Sequence, residues 1–270
     1  MAWGAGKWPV AAAHVEQARR KPPSIEEHQF YCHALGREVP YAIYLPSLNA
    51  VPQDSFPVLF ILHGDGRTYQ TIISDEACRR NLINRKIAVV FPNGERGWYL
   101  DSRTNPTSQY QSMLVELLAH IRQTYPVYRS GKQTGIAGWS MGGFGAMHFA
   151  ETYPHQVSAV ATTIGLVDFP NPRLPKAKNY PVSAVFGMDT TAWAGVNCLN
   201  RAEKLAGKQI LLIAGKKAFD HTMNHHFHRR LQQLRIPHQY VEWDENHDFM
   251  MVRKSLPVLL DFFERTLKRP

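Results

Sequence analysis

The sequence predicts an α/β fold, with a mostly parallel central sheet and helices on both faces. Short, mostly apolar runs occur at residues 57–62, 87–92 and 209–214, as expected for strands buried on both faces, and residues 157–164 read as a further strand. Helical patterns alternate with them, and in residues 109–125 apolar side chains recur at helical spacing. Strands alternating with helices indicate a parallel sheet covered on both sides.

Length and composition favour a single sizeable domain. The chain has 270 residues, of which 44% are hydrophobic and 20% charged, as in an ordinary soluble globular protein. Residues 1–28 contain an Ala-rich piece broken by two prolines, and we interpret them as an N-terminal extension. The predicted domain therefore covers residues 29–270.

Charge and cysteine content narrow the possible partners. The net charge is +9, but the basic residues are scattered and no nucleic-acid motif is present. The three cysteines are far apart and odd in number, without zinc spacing. No apolar run is long enough to span a bilayer, and residues 1–8 lack the apolar core of a signal peptide. We therefore expect a cytoplasmic protein with no cofactor, no nucleic-acid partner and no membrane span.

The remaining elements follow in order. The predicted strands occupy residues 29–34, 39–46, 57–62, 87–92, 132–137, 157–164, 209–214 and 239–243. The predicted helices occupy residues 75–85, 109–125, 144–150, 197–205, 224–234 and 256–267. Between positions 168 and 206 the pattern weakens and prolines accumulate, which predicts a lid-like excursion.

Residues 135–145 contain the most informative motif. Gly138, Ser140 and Gly142 fit Gly-x-Ser-x-Gly, the nucleophile elbow of α/β-hydrolases. A serine at a sharp strand-to-helix turn is strained, and glycines two residues away avoid backbone collisions. The N–H of Met141 then lies at a helix N-terminus, where it can face a developing oxyanion.

A serine nucleophile needs a base and an orienting carboxylate, in the chain order Ser, Asp or Glu, His. Asp220 follows one predicted strand and His247 follows the last one. Asp168, which also follows a strand, is the second candidate acid. Three further aspartates compete for that role: Asp189, Asp244 and Asp248. His63 precedes the nucleophile and is better suited to hold the oxyanion loop.

Two smaller assignments complete the predicted site. The second oxyanion donor should come from the loop after residues 58–62, as the N–H of Asp65 or of Gly66. His221 and His225 are four residues apart and could share a helix face, as zinc ligands do, but no third ligand is evident. We expect no metal site.

Together these motifs resemble an esterase family of α/β-hydrolases that includes esterase D (S-formylglutathione hydrolase), tributyrin-type and feruloyl esterases, and mycolyltransferases. The matching segments are residues 58–64, 91–94, 97–102 and 138–143, with the two loops that contain the candidate acid and base. The resemblance implies catalytic roles for Ser140, Asp220 and His247, with the N–H groups of Asp65 and Met141 as oxyanion donors. The chain departs from the family pattern at two places. An asparagine precedes the candidate histidine where the family often has glycine, and the loop before the candidate aspartate contains two lysines where the family is usually more acidic.

The leading functional hypothesis is a serine esterase that acts on short-chain or aromatic, feruloyl-type esters through an acyl-enzyme. Trp98, Tyr99 and Trp139 are candidates for lining an aromatic pocket, with core packing as the alternative. An acyltransferase using the same triad and a non-catalytic binding protein of this fold remain as alternatives.

Overall fold

A computed structural model of the chain describes residues 22–47, 55–171, 185–187 and 189–267. Its strands are β1 (Ser24–Cys32), β2 (Arg37–Leu45), β3 (Val58–Leu62), β4 (Ala88–Pro92), β5 (Thr134–Trp139), β6 (Ala159–Thr163), β7 (Gln209–Gly215) and β8 (Gln239–Trp243). Its α-helices are α1 (Gln70–Ser74), α2 (Glu76–Leu82), α3 (Tyr110–Thr124), α4 (Met141–Thr152), α5 (Thr190–Trp193), α6 (His221–Gln233) and α7 (Phe249–Thr266). Among the described residues, Gly131–Gln133 and Cys198–Leu205 form 3-10 helices.

The strands form one eight-stranded sheet in the order β1-β2-β4-β3-β5-β6-β7-β8. Strand β2 pairs antiparallel with both β1 and β4, whereas the pairs among β3 to β8 are all parallel. The predicted mostly parallel sheet is confirmed.

Helices cover both faces because the central strands are apolar on both. Phe60 and Leu62 of β3 face one buried cluster, which includes the apolar residues of α3, α4 and α6. Leu59 and Ile61 face a second cluster, which includes those of α1, α2 and α7. The helices that follow β3 lie on one face of the sheet, and the helix that follows β5 lies on the other face, although the two strands are neighbours. The strand order therefore reverses here, and the carboxyl ends of these strands form the crevice where such sheets bind ligands.

Several element boundaries differ from the prediction. Strand β1 begins at Ser24, so five residues assigned to the extension pair with β2 and belong to the sheet. Helix α7 begins at Phe249 rather than at residue 256, because Asp248 caps it by accepting a hydrogen bond from the N–H of Met251. Helix α1 was not predicted, and residues 198–205 form a 3-10 helix.

Two other predictions fall partly outside the described residues. Residues 1–21 of the extension and residues 172–184 of the lid-like excursion are among those not described. The extension and the lid therefore remain predictions. Within the described ranges, none of the helices combines the length and the apolar character needed to cross a bilayer.

Candidate active site

Ser140 lies between the end of β5 and the start of α4, as the motif predicts. Its backbone has φ 54° and ψ −120°, a conformation that non-glycine residues rarely adopt. A Cβ at Gly138 would lie 2.2 Å from the carbonyl oxygen of Gly142, and one at Gly142 would lie 2.2 Å from that of Leu62. Both glycines are therefore sterically required for the turn that presents the serine hydroxyl.

Three side chains predicted to act together meet in a hydrogen-bonded chain. Nε2 of His247 lies 2.9 Å from Oγ of Ser140, and Nδ1 lies 2.6 Å from Oδ1 of Asp220. Asp220 is fully buried, whereas His247 is partly exposed. The carboxylate accepts a hydrogen bond from Nδ1–H of His247, so Nε2 is the unprotonated nitrogen and can take the proton of the serine hydroxyl.

A neighbouring amide holds the buried carboxylate from its other side. Nδ2 of Asn224 donates to Oδ2 of Asp220 at 2.7 Å and lies 3.0 Å from the carbonyl oxygen of Gly165. Asn224 is itself fully buried on α6. The sequence analysis missed this residue, although its position one helical turn after Asp220 was a usable signal.

The second candidate acid is buried elsewhere. Asp168 accepts hydrogen bonds from the side-chain amides of Asn171 and Asn197 and pairs with Nδ1 of His226 at 2.9 Å. The hydrogen bonds among the described residues do not join it to His247.

The other three aspartates have structural partners. Asp189 and Asp248 accept backbone N–H bonds at the starts of α5 and α7, respectively. Asp244 forms an ion pair with Lys217 at 2.8 Å.

The loop after β3 lies beside the nucleophile and is fixed by a buried histidine. Nδ1 of His63 donates to the carbonyl oxygen of Gly64, and Nε2 accepts the N–H of Gly94, both at 2.9 Å. Burial lowers the pKa of His63 to about 4, which keeps the ring neutral and both bonds in place. The carboxylate of Asp65 pairs with Arg96 through two hydrogen bonds.

One of the two predicted oxyanion donors borders the cleft beside Ser140, and the other follows Ser140 directly in the chain. Asp65 and Ser140 line one cleft, and Met141 is the first residue of α4, where a backbone N–H has no acceptor within the helix. The N–H groups of Asp65 and Met141 are the two candidates for oxyanion donors. Their roles as oxyanion donors remain predictions.

The predicted aromatic pocket needs correction. Trp139 lines the cleft, but Trp98 and Tyr99 are fully buried and do not. Both residues have positive φ angles, of 56° and 54°, and their side chains belong to the buried core. Trp98 stacks on Phe169 with ring centroids 4.8 Å apart, and the Tyr99 hydroxyl accepts the backbone N–H of His63. Trp98 and Tyr99 are therefore residues of the buried core and do not line the cleft.

The cleft beside Ser140 has a volume of about 150 Å³. Besides the residues already described, Arg67 and Phe249 line it, and neither was assigned to the site from the sequence. The guanidinium carbon of Arg67 lies 5.5 Å from the centre of the Phe249 ring.

The histidine-rich start of α6 has hydrogen-bonding partners. Nε2 of His221 lies 2.8 Å from Oε1 of Glu242, and the rings of His221 and His225 are stacked 6.2 Å apart. Among the described residues, no group of three or more His, Cys, Asp or Glu side chains is arranged to hold a metal ion.

Comparison with known proteins agrees with this architecture. The family model Esterase, described as "Putative esterase", matches residues 32–258. Esterase Rv1288 of Mycobacterium tuberculosis is 27% identical over 256 residues, an alignment covering 84% of this chain and 56% of that protein. The chain thus spans about half the length of this curated relative.

Two further proteins are similar over most of their length. The acetyl esterase of Caldicellulosiruptor saccharolyticus is 24% identical over 213 residues, covering 74% of this chain and 80% of that protein. Among solved structures, the fluorophosphonate-binding serine hydrolase FphF of Staphylococcus aureus superposes with a TM-score of 0.81 at 18% identity. That superposition covers 92% of this chain and all of the other.

Proposed function

Because this chain belongs to the esterase family of α/β-hydrolases, we propose that it is a serine carboxylesterase that cleaves short-chain esters through an acyl-enzyme. The observation that carries the proposal is the hydrogen-bonded chain from Ser140 through His247 to Asp220, at 2.9 and 2.6 Å. These distances lie within the range that general-base activation of a nucleophile requires.

In the first half-reaction, Oγ of Ser140 attacks the ester carbonyl carbon while Nε2 of His247 takes the hydroxyl proton. Asp220 stabilises the resulting imidazolium through its bond to Nδ1. The negative charge on the carbonyl oxygen is accepted by the N–H groups of Met141 and Asp65, and the N-terminal end of α4 adds a favourable field. His247 then gives its proton to the leaving alcohol, and the acyl group remains on Ser140.

In the second half-reaction, water takes the place of the alcohol. Nε2 of His247 accepts a proton from the water as its oxygen attacks the acyl carbon. Collapse of the second tetrahedral intermediate returns that proton to Oγ of Ser140 and releases the carboxylic acid. The chain's own residues supply every proton transfer in this cycle.

The size of the cleft supports a short acyl group over a feruloyl group. Its volume of about 150 Å³ is below the roughly 300–1,000 Å³ of pockets that enclose drug-sized ligands. Two of the three aromatic residues considered for a feruloyl pocket are in the core. One relative is named acetyl esterase, which is consistent with a small acyl group.

Hydrolysis of p-nitrophenyl esters of increasing acyl length, together with methyl ferulate, tests the proposal. We expect turnover of the acetyl and butyryl esters by the wild-type protein and its loss in Ser140→Ala, by roughly 10³-fold or more. Circular dichroism should show that the variant is folded. Turnover that persists in the folded variant would refute the assignment of the nucleophile. Adding a primary alcohol and measuring any new ester distinguishes hydrolysis from acyl transfer.

A further inference from the structure

Arg67 is the cation of the cleft that lacks an acidic partner among the described residues. Its side chain is exposed and lines the same cleft as Ser140. Its two arginine neighbours differ from it, because Arg96 pairs with Asp65 and Arg253 pairs with Asp75. Arg67 and Arg253 both lie over the ring of Phe249, at 5.5 and 5.6 Å, but Arg67 forms no ion pair with a described residue. Its guanidinium can therefore bind an incoming anion without breaking an ion pair.

The remaining charges of the cleft do not cancel this cation directly. Asp65 is neutralised by Arg96, and Asp220 is buried against His247. The carboxylate of Asp248 faces the start of α7, where it accepts the N–H of Met251 at 3.1 Å, and the positive end of the helix offsets part of its charge. A positive potential around Arg67 thus remains for a ligand.

The position of Arg67 indicates which part of an ester it would meet. In the proposed reaction His247 protonates the leaving alcohol, so this group must lie on the His247 side of the cleft. Phe249 is two residues beyond His247 and lines the same cleft. Arg67 lies over Phe249, with 5.5 Å between the guanidinium carbon and the ring centre, and so borders the part of the cleft formed by the chain that follows His247.

We infer that Arg67 binds a carboxylate on the alcohol portion of the substrate, so that the preferred substrates are short acyl esters of acidic alcohols. The inference rests on the proposed esterase function and adds a substrate class to it. Arg67 acts in binding and takes no part in the proton transfers. Guanidinium and carboxylate can form two parallel hydrogen bonds, which favours a carboxylate over a neutral group of similar shape.

Two matched acetyl esters test the inference. 4-Acetoxybenzoate carries the charge on the leaving group, and 4-acetoxybenzamide is its neutral counterpart. The ratio of their kcat/KM values is measured for the wild-type protein, Arg67→Gln and Arg67→Lys. Differences in intrinsic reactivity cancel when ratios are compared between proteins. We expect Arg67→Gln to lower the ratio by roughly tenfold or more, mainly through KM for the acid. Lysine should restore part of it.

Controls separate the effect of Arg67 from that of total charge. Arg80→Gln removes an exposed arginine on α2, paired with Glu76, and should leave the ratio unchanged. Raising the salt concentration should reduce the wild-type preference and have little effect on Arg67→Gln. Mono-p-nitrophenyl glutarate and p-nitrophenyl pentanoate place the same contrast on the acyl side, where Arg67→Gln should have little effect.

The possible outcomes are distinguishable. An unchanged ratio in Arg67→Gln, with normal turnover of the neutral ester, overturns the inference and leaves the esterase proposal intact. An equal loss for the two acetoxy esters, or a loss confined to the glutarate pair, also overturns it. Absence of Ser140-dependent turnover of any ester in the wild-type protein refutes the proposed function and, with it, this inference.

Discussion

Asn224 lies one helical turn after Asp220, and its side-chain amide donates to the carboxylate oxygen that does not face His247. The amide also lies 3.0 Å from the carbonyl oxygen of Gly165, in the loop after β6. It therefore ties the carboxylate to both the helix and the sheet. A carboxylate with one oxygen fixed in this way can direct the other at the imidazole.

Replacement of Asn224 by leucine tests this positioning. The change keeps the approximate size of the side chain and removes one hydrogen bond to a buried charge, which is worth roughly 1.5–3 kcal/mol. We expect kcat to fall by about tenfold or more while KM changes little. Asn81→Leu on α2, which removes only a bond to a backbone carbonyl, is the control. Equal kcat values for the two variants would contradict the role of Asn224.

The two buried aspartates give opposite predictions. Asp220→Asn should lower kcat by roughly 10³–10⁴-fold, because an amide cannot stabilise the imidazolium and favours the wrong tautomer of His247. Asp168→Asn should keep kcat within a few-fold of wild type, since the Asp168 carboxylate pairs with His226 instead. Steady-state kinetics of both variants on one short-chain ester check this. If Asp168→Asn shows the larger loss, the assignment of the acid is wrong.

Trp98 should affect stability rather than substrate preference. Its fully buried ring stacks on Phe169, so Trp98→Leu removes packing worth roughly 2–4 kcal/mol by comparison with other large-to-small core changes. Urea unfolding should show this loss, and kcat/KM of the folded variant should stay near wild type. Tyr31→Leu, at a side chain 53% exposed, should change stability little. A selective loss of activity on methyl ferulate would instead restore Trp98 to the substrate pocket.

His148 links stability to pH. Burial lowers its pKa to about 3 in the folded protein, against about 6.5 when the chain is unfolded. Between these values the unfolded chain binds a proton that the folded protein does not. Stability is therefore unaffected above pH 6.5 and falls as the pH drops towards 3, by up to 1.4 kcal/mol per pH unit for this one group.

His148→Asn is the matched variant for this effect. The amide oxygen can take the place of Nδ1 as acceptor for Nε2 of Gln111 and does not titrate in this range. We expect urea midpoints of the variant to depend less on pH between 6 and 4 than those of the wild-type protein. Parallel pH profiles would show that His148 is not the linked group.

The sequence alone was sufficient to place Ser140, Asp220 and His247 near one another. Each follows a strand of the parallel sheet, and the carboxyl ends of parallel strands lie at one edge. The family and the fold class predicted on that basis are confirmed. Catalytic roles for the three residues remain proposals, supported by distances that strand order alone cannot supply.

Other features depended on geometry that no sequence pattern carries. Trp98 and Tyr99 lie in the loop after β4, where both have positive φ angles and both rings pack in the core. The start of α7 was predicted too late. A proline usually lies at the first position of a helix, but Pro257 lies inside α7, and the helix is capped by Asp248. The sequence did not point to Arg67. A sequence does not show which charged side chains form ion pairs, so the absence of an acidic partner for Arg67 among the described residues became visible only in the structure.

The separation of 107 residues between Ser140 and His247 has a consequence for refolding experiments. The two side chains can meet only once β5, β6, β7 and β8 lie side by side in the sheet. All of these strand pairs are parallel and join segments that are distant in the sequence. Such pairings form slowly compared with helices. A fluorophosphonate that reacts with the activated serine would therefore count completely assembled molecules, while partly folded ones that already contain helix would stay unlabelled.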